Sequence, residues 1–328
     1  MTVERCSGLL AAVLVCAPHI AWAQPAAGEG VFPSRPLRII VPFHPGGTPD
    51  VQIRLMQERL AQRLGQPVVI DNRGGANGII GMEIAARAAP DGYTVTYATV
   101  GAWTVHPFLI KLPYDVLKDF TAVIHTAVTP GVLVVHPSVQ AKTVKELIAL
   151  AKEKPGQLSY GSAGIGGWFQ IATELFAYMA NIKLLHVPYK GAAFALTDVM
   201  GGQVQMMVNT TIVAAPHIRS GRVRALATTG AQRSHTLPDI PTMDEAGVRG
   251  YEGNTWCGLG APARTPRHIV ERINRDIAAV MQTPEVHQKL MDGGSQVTGG
   301  PPDAFLQILK TDLEKYGRLI KAVGIKGS

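Results

Sequence analysis

The stretch Arg38-Ile39-Ile40-Val41-Pro42-Phe43-His44-Pro45-Gly46-Gly47-Thr48-Pro49-Asp50 decides how this chain is read. Arg38 to Phe43 reads as a buried strand, an apolar run closed by His44-Pro45-Gly46-Gly47. Asp50 to Leu64 then reads as a helix. Val51, Leu55, Leu60 and Leu64 recur at helical spacing, Pro49 falls near the first turn where its missing N–H costs little, and Gly65 ends the pattern. Working outward, Pro67 to Ile70 is a second strand, Ile80 to Ala88 a second helix, and Tyr93 to Ala98 a third strand after the Asp91-Gly92 turn. This βαβαβ order implies a parallel sheet with helices on both faces, because each crossover returns the chain to the same edge.

The rhythm breaks at Phe120 to Ala127 and Gly131 to Val135, two apolar strands separated only by residues around Thr129-Pro130. We read this as a crossing between domains. A second βα series follows: helix Thr143 to Lys152 behind a capping-box start, strand Leu158 to Gly161, helix Phe169 to Met179, and strand Leu184 to Val187. Helix Phe194 to Met200 and strands Val204 to Val208 and Val223 to Thr228 complete it. The tail holds a strand near Tyr251 to Leu259 and helices near Pro266 to Gln282 and Pro302 to Ala322. The last helix carries Phe305, Leu309, Leu313, Tyr316 and Ile320 along one face. The expected organisation is two α/β domains, one of residues 32–128 plus 231–328 and one of residues 129–230 inserted into it. A ligand is expected in the cleft between them.

Composition narrows the classes. The 328 residues are 46% apolar, too rich for a largely disordered chain. Lys and Arg exceed Asp and Glu by seven (31 against 24), a surplus that fits nucleic acid, an acidic membrane surface or an anionic small ligand. They are scattered singly and in pairs, which argues against nucleic acid. Residues 1–23 read as an export signal: Arg5, the apolar stretch Leu9 to Val15, and an Ala21-Trp22-Ala23 cleavage triplet. Cys6 and Cys16 lie inside it, so the mature chain keeps only Cys257 and has no internal disulfide. No CxxC or HExxH occurs, and no metal or other cofactor is expected.

Three small-residue loops each join a strand end to a helix start: Pro42 to Asp50, Gly161 to Trp168, and Pro188 to Ala193. Helix N-termini offer N–H donors and partial positive charge, and glycine lets an anion approach the backbone. The candidate ligand contacts are His44, Gly46, Gly47 and Thr48 in the first loop and Ser162, Ala163, Gly166, Gly167 and Trp168 in the second. Gly191, Ala192 and Ala193 in the third, and Asn209 at a strand end facing the cleft, complete the set. Each loop alone reads first as a plain turn, and it is all three at equivalent strand ends that point to an anion site. Tyr160-Gly161-Ser162-Ala163-Gly164 falls short of a nucleophile elbow, with Tyr where the first Gly belongs, so Ser162 reads as a hydrogen-bonding hydroxyl. A hydrolase or isomerase using His44 or Ser162 is the competing reading, and a ligand-sensing receptor for a signalling partner a third.

Several of these stretches together carry a resemblance. They are Phe32 to Asp50, Asp71-Asn72-Arg73, Ala89-Pro90-Asp91-Gly92-Tyr93-Thr94, Leu112-Pro113-Tyr114-Asp115, Tyr160 to Gly164, His186-Val187-Pro188-Tyr189-Lys190-Gly191 and Leu237 to Thr242. In this order the chain resembles the Bug family, periplasmic solute-binding proteins of tripartite tricarboxylate transporters. The resemblance implies a type II periplasmic-binding-protein fold with Rossmann-like lobes, a binding protein without catalysis, and a monomer that delivers a small organic acid to membrane subunits. It further implies that loops His44–Thr48, Ser162–Gly167 and Gly191–Ala193 hold one carboxylate through backbone amides and bridging waters. The chain departs from the family pattern at several places. His44 stands for a usual Pro, Ile79 and Ile165 for usual Asn, Trp103 for a frequent His, Gly167 for Ser, Gln170 for His, Phe194 for Pro and Asn209 for Asp. Losing the Asp disfavours an amino-acid ligand. The Ile, Trp and Phe replacements imply an apolar distal pocket and an aromatic or apolar mono- or dicarboxylate.

Overall fold

In the computed structural model, which describes Thr2 and residues 32–325, the decisive stretch forms strand β1 (Leu37–Val41), a turn, and helix α1 (Thr48–Leu64). Apart from Thr2, the expected export signal lies outside the described residues. Ile39, Ile40 and Val41 are completely buried, and Gly65 takes the left-handed conformation (φ 67°) that stops α1. Strand β2 (Val68–Asn72), helix α2 (Ile79–Ala86) and strand β3 (Thr94–Thr99) follow, with both β2 and β3 parallel to β1. A π-helical segment, Gly101–Val105, then runs into the short helix α3 (His106–Leu109).

Strands β4 (Phe120–Thr129) and β5 (Gly131–Val135) are separated by Pro130 alone. The next series is α4 (Val144–Glu153), β6 (Ser159–Ser162), α5 (Trp168–Ala180), β7 (Leu185–Pro188), α6 (Ala192–Met200), β8 (Met206–Thr210), α7 (Thr211–Arg219) and β9 (Arg224–Thr228). The chain ends with β10 (Thr255–Pro262), α8 (Arg267–Met281), α9 (Pro284–Asp292), β11 (Gln296–Val297) and α10 (Pro302–Val323). At α4 the Thr143 side chain accepts the N–H of Glu146, while the Glu146 carboxylate reaches the N–H of Lys142, one residue earlier than a capping box requires.

Two mixed sheets result. The first has the order β11-β4-β10-β3-β1-β2 and the second β7-β6-β8-β5-β9. The expected parallel arrangement holds for β1 to β3 in the first sheet and for β7, β6 and β8 in the second. Strand β10 lies antiparallel between β3 and β4, and β5 lies antiparallel between β8 and β9. Neither direction was legible, because hydrophobic periodicity reports burial and not polarity.

The core of the first sheet centres on Phe305, whose ring packs edge-on against Trp103 and Trp256 and stacks on His125 at 5.8 Å. Leu309, Tyr316 and Ile320 are buried along the same face of α10, while Leu313 is only half-buried. Where the chain passes between the sheets, Thr229 and Gly131 exchange two hydrogen bonds, and Thr211 donates to the Pro130 carbonyl. A side chain on Gly131 would come within 2.7 Å of the Trp168 ring, so this crossing tolerates only glycine.

Candidate functional site

The first loop is held from below by Asp50. Its carboxylate accepts hydrogen bonds from Gly46 N (2.9 Å), Asn72 Nδ2 (3.0 Å) and Arg54 Nε (2.8 Å), and it is almost fully buried. The Gly46 N–H is therefore spent on the fold. The turn instead presents the start of α1, where the first helical N–H groups have no partner inside the helix. In the third loop Gly191 is the N-cap of α6, so Ala192, Ala193 and Phe194 form its first turn. His44 packs edge-on against Phe194 at 5.8 Å, and a side chain on Gly191 would touch its imidazole.

The second loop is arranged differently. Asn77, in the left-handed region (φ 52°), donates through Nδ2 to the Ile165 carbonyl at 2.9 Å and lies 3.3 Å from His106 Nε2. A side chain on Gly167 would fall 2.7 Å from the same Asn77 nitrogen, and one on Gly101 would fall 3.1 Å from Trp168 N. Asn77 and Gly101 thus cover the start of α5. Gly166 N donates to Gln170 Oε1 at 2.7 Å, and Ser162 Oγ lies 2.6 Å from His186 Nε2, so neither is offered to a cavity.

Two adjoining cavities lie among these loops. The inner one, about 40 Å³, is lined by His44, Gly47, Thr48, Ala163, Gly191, Ala192 and Ala193, together with Phe43, Thr99, Phe169, Phe194 and others. The outer one, about 450 Å³, is lined by Ile79, Ile110, Ile165, Pro188 and Tyr189. His44, Gly75, Asn77, Ala163 and Lys190 line both. Neither lining contains an aspartate or glutamate, whereas Lys190 supplies a cation. Burial pushes the His106 and His186 imidazoles down to about 4, so both are neutral near pH 7.

Seven of the thirteen candidate residues therefore line the inner cavity. Gly46, Ser162, Gly166, Gly167 and Trp168 stand behind it, spent on hydrogen bonds or screened by Asn77 and Gly101, and the Trp168 ring is buried against Gly131 and Phe169. Asn209 does not face the cleft. It is fully buried in β8, its Oδ1 accepting the Thr210 N–H and its Nδ2 turned to Met207 Sδ. Trp103 sits in the core of the first sheet against Phe120 and Phe305 and makes no distal pocket. Asn77, Thr99 and Phe169 carried no signal in the sequence, because their place depends on which loops fold across the cleft. No cluster of His, Cys, Asp and Glu able to hold a metal occurs among the described residues.

A family model described as the tripartite tricarboxylate transporter family receptor matches residues 52–325. The chain belongs to this family. The receptor is 32% identical to protein BugT of Bordetella pertussis (strain Tohama I) over 324 residues, 97% of this chain and 98% of BugT. Among solved structures it is similar to "R. palustris Rpa4515 with adipate" (TM-score 0.88, 35% identity, 90% of this chain and 100% of that one). It is also similar to "MatC (Rpa3494) from Rhodopseudomonas palustris with bound malate" (TM-score 0.84, 30% identity, 88% and 100%). The Bug resemblance and the two-lobed α/β fold are thereby borne out. The receptor is a binding protein and not an enzyme.

Proposed function

We propose that the inner cavity takes the carboxylate of a small organic acid, and that the receptor delivers this acid from the periplasm to the membrane subunits of a tripartite tricarboxylate transporter. One observation carries the reading: the first turns of α1 and α6 converge on a cavity with Lys190 and His44 beside it and no acidic side chain in its lining. An anion there meets unpartnered N–H donors and the positive ends of two helix dipoles. The adipate and malate carried by the two similar proteins support the ligand class.

Residues 32–128 and 231–328 then act as one lobe and 129–230 as the other, with the crossings at Pro130 and Thr229 as the hinge. Binding draws the population toward the closed form. Phe43, Phe169 and Phe194 around the inner cavity, and Ile79, Ile110 and Ile165 around the outer one, favour an acid with an apolar or aromatic body over citrate. Export through residues 1–23 would place the receptor where it meets this acid.

Calorimetric titration with adipate, malate, citrate and aryl-substituted monocarboxylates tests this. The expected result is saturable binding of an apolar acid, a raised melting temperature, and recovery of the compound intact. Citrate binding far tighter than any apolar acid would overturn the ligand preference, and binding by no carboxylate would overturn the proposal.

A further inference from the structure

We infer that the cleft selects acids whose bulky apolar body is separated from the carboxylate by a slender, unbranched linker. The inference rests on the carboxylate reading and deepens it. An apolar cavity of roughly 150 Å³ accommodates benzene. The inner cavity, at about 40 Å³, holds a carboxylate head and little more. A ring or branched body has to lie in the outer cavity of about 450 Å³, against Ile79, Ile110 and Ile165.

His44 and Asn77, with Gly75, Ala163 and Lys190, line both cavities and so stand where the two meet. Asn77 is tied to the Ile165 carbonyl at 2.9 Å and lies 3.3 Å from His106 Nε2. The His44 imidazole lies so close to Gly74 that a side chain there would come within 2.9 Å of it, and Phe194 meets its ring on another side. A ring attached directly to the carboxylate would have to sit among these side chains, whereas a short methylene chain needs far less room between them.

The test is titration of the full mature receptor with butyrate, adipate, benzoate, phenylacetate, phenylpropionate and phenylbutyrate. Each well-fitted methylene in an apolar pocket is worth about tenfold or more, so phenylbutyrate is expected to bind at least about tenfold tighter than benzoate. Asn77→Gly keeps the left-handed backbone while removing one wall, and it should shrink that ratio by raising benzoate affinity. Ile165→Asn should shrink it from the other side, by weakening phenylbutyrate. Circular dichroism and melting curves show whether each variant is folded. Equal affinity for benzoate and phenylbutyrate in the native receptor, or an unchanged ratio in both folded variants, overturns the inference while leaving the carboxylate site standing. Failure of every acid, butyrate and adipate included, overturns both.

Discussion

Replacing Asp50 with alanine removes the carboxylate that ties the Pro45–Thr48 turn to the start of α1. Two of its bonds, from Gly46 N and Asn72 Nδ2, are charge-assisted and shielded from water, and each such bond contributes about 1.5 kcal/mol. The third partner, Arg54, is 47% exposed and rehydrates when released, so its ion pair adds only about 0.5 kcal/mol. The expected loss is about 3.5 kcal/mol, which in a chain of 328 residues lowers the melting temperature by roughly 5 °C. Affinity for a carboxylate should fall as well, because Thr48 no longer presents its N–H at a fixed place. Asp50→Asn keeps the shape and one acceptor oxygen and should lose about half as much. Thermal unfolding with and without adipate reads both effects. A melting temperature within about 2 °C of the native chain for the alanine variant, with unchanged affinity, would refute this account of the loop.

Further outcomes follow from the same geometry. Phe305→Ala empties the space between Trp103, Trp256 and His125 and should cost about 3–5 kcal/mol in urea unfolding while leaving ligand affinity within twofold, about 0.4 kcal/mol. Gly166→Ala places a side chain at φ +78° and 3.3 Å from Leu109, so its damage of about 1–2 kcal/mol should appear in stability before it appears in binding; a fully stable variant that cannot bind would contradict this. His106 and His125 are held down to about 4 by burial, against about 6.5 in an unfolded chain. Between those values the unfolded state binds more protons, so stability is complete above about pH 6.5 and lost as pH falls toward 4, by at most about 3 kcal/mol for each histidine. Urea midpoints that stay flat from pH 7.5 to about 4.5 would show that these histidines are protonated in the folded state.

What the sequence disclosed and what it withheld divide along one physical line. Apolar periodicity reached β1, α1 and α10 nearly to their ends, because each buries a continuous face that any packing partner would require. The loop after β1 was legible as a turn into a helix start, and Asp50 as a helix-start charge, since both depend on neighbours a few residues away. Asn77 was invisible because its role is to meet Ile165, 88 positions along the chain. The screening of Gly166, Gly167 and Trp168 follows from that same long-range contact. Asn209 was misjudged for a related reason: alternation along a strand gives two faces, and only tertiary structure says which one lines the cleft. The short α7 contains Pro216, and α9 has only nine residues, so neither announced itself as a helix.

Strand β10 has a consequence for how the molecule assembles. It lies between β4 and β3, yet it begins at Thr255, after the whole excursion that builds the other sheet. The second sheet needs only residues 131–228, so it can nucleate from a contiguous span, whereas the first waits for a segment delivered late. Closing that long loop carries an entropic toll and slows pairing. A chain leaving the ribosome would thus stay half-built, its larger sheet an unfinished template, until the central strand near residue 260 had emerged.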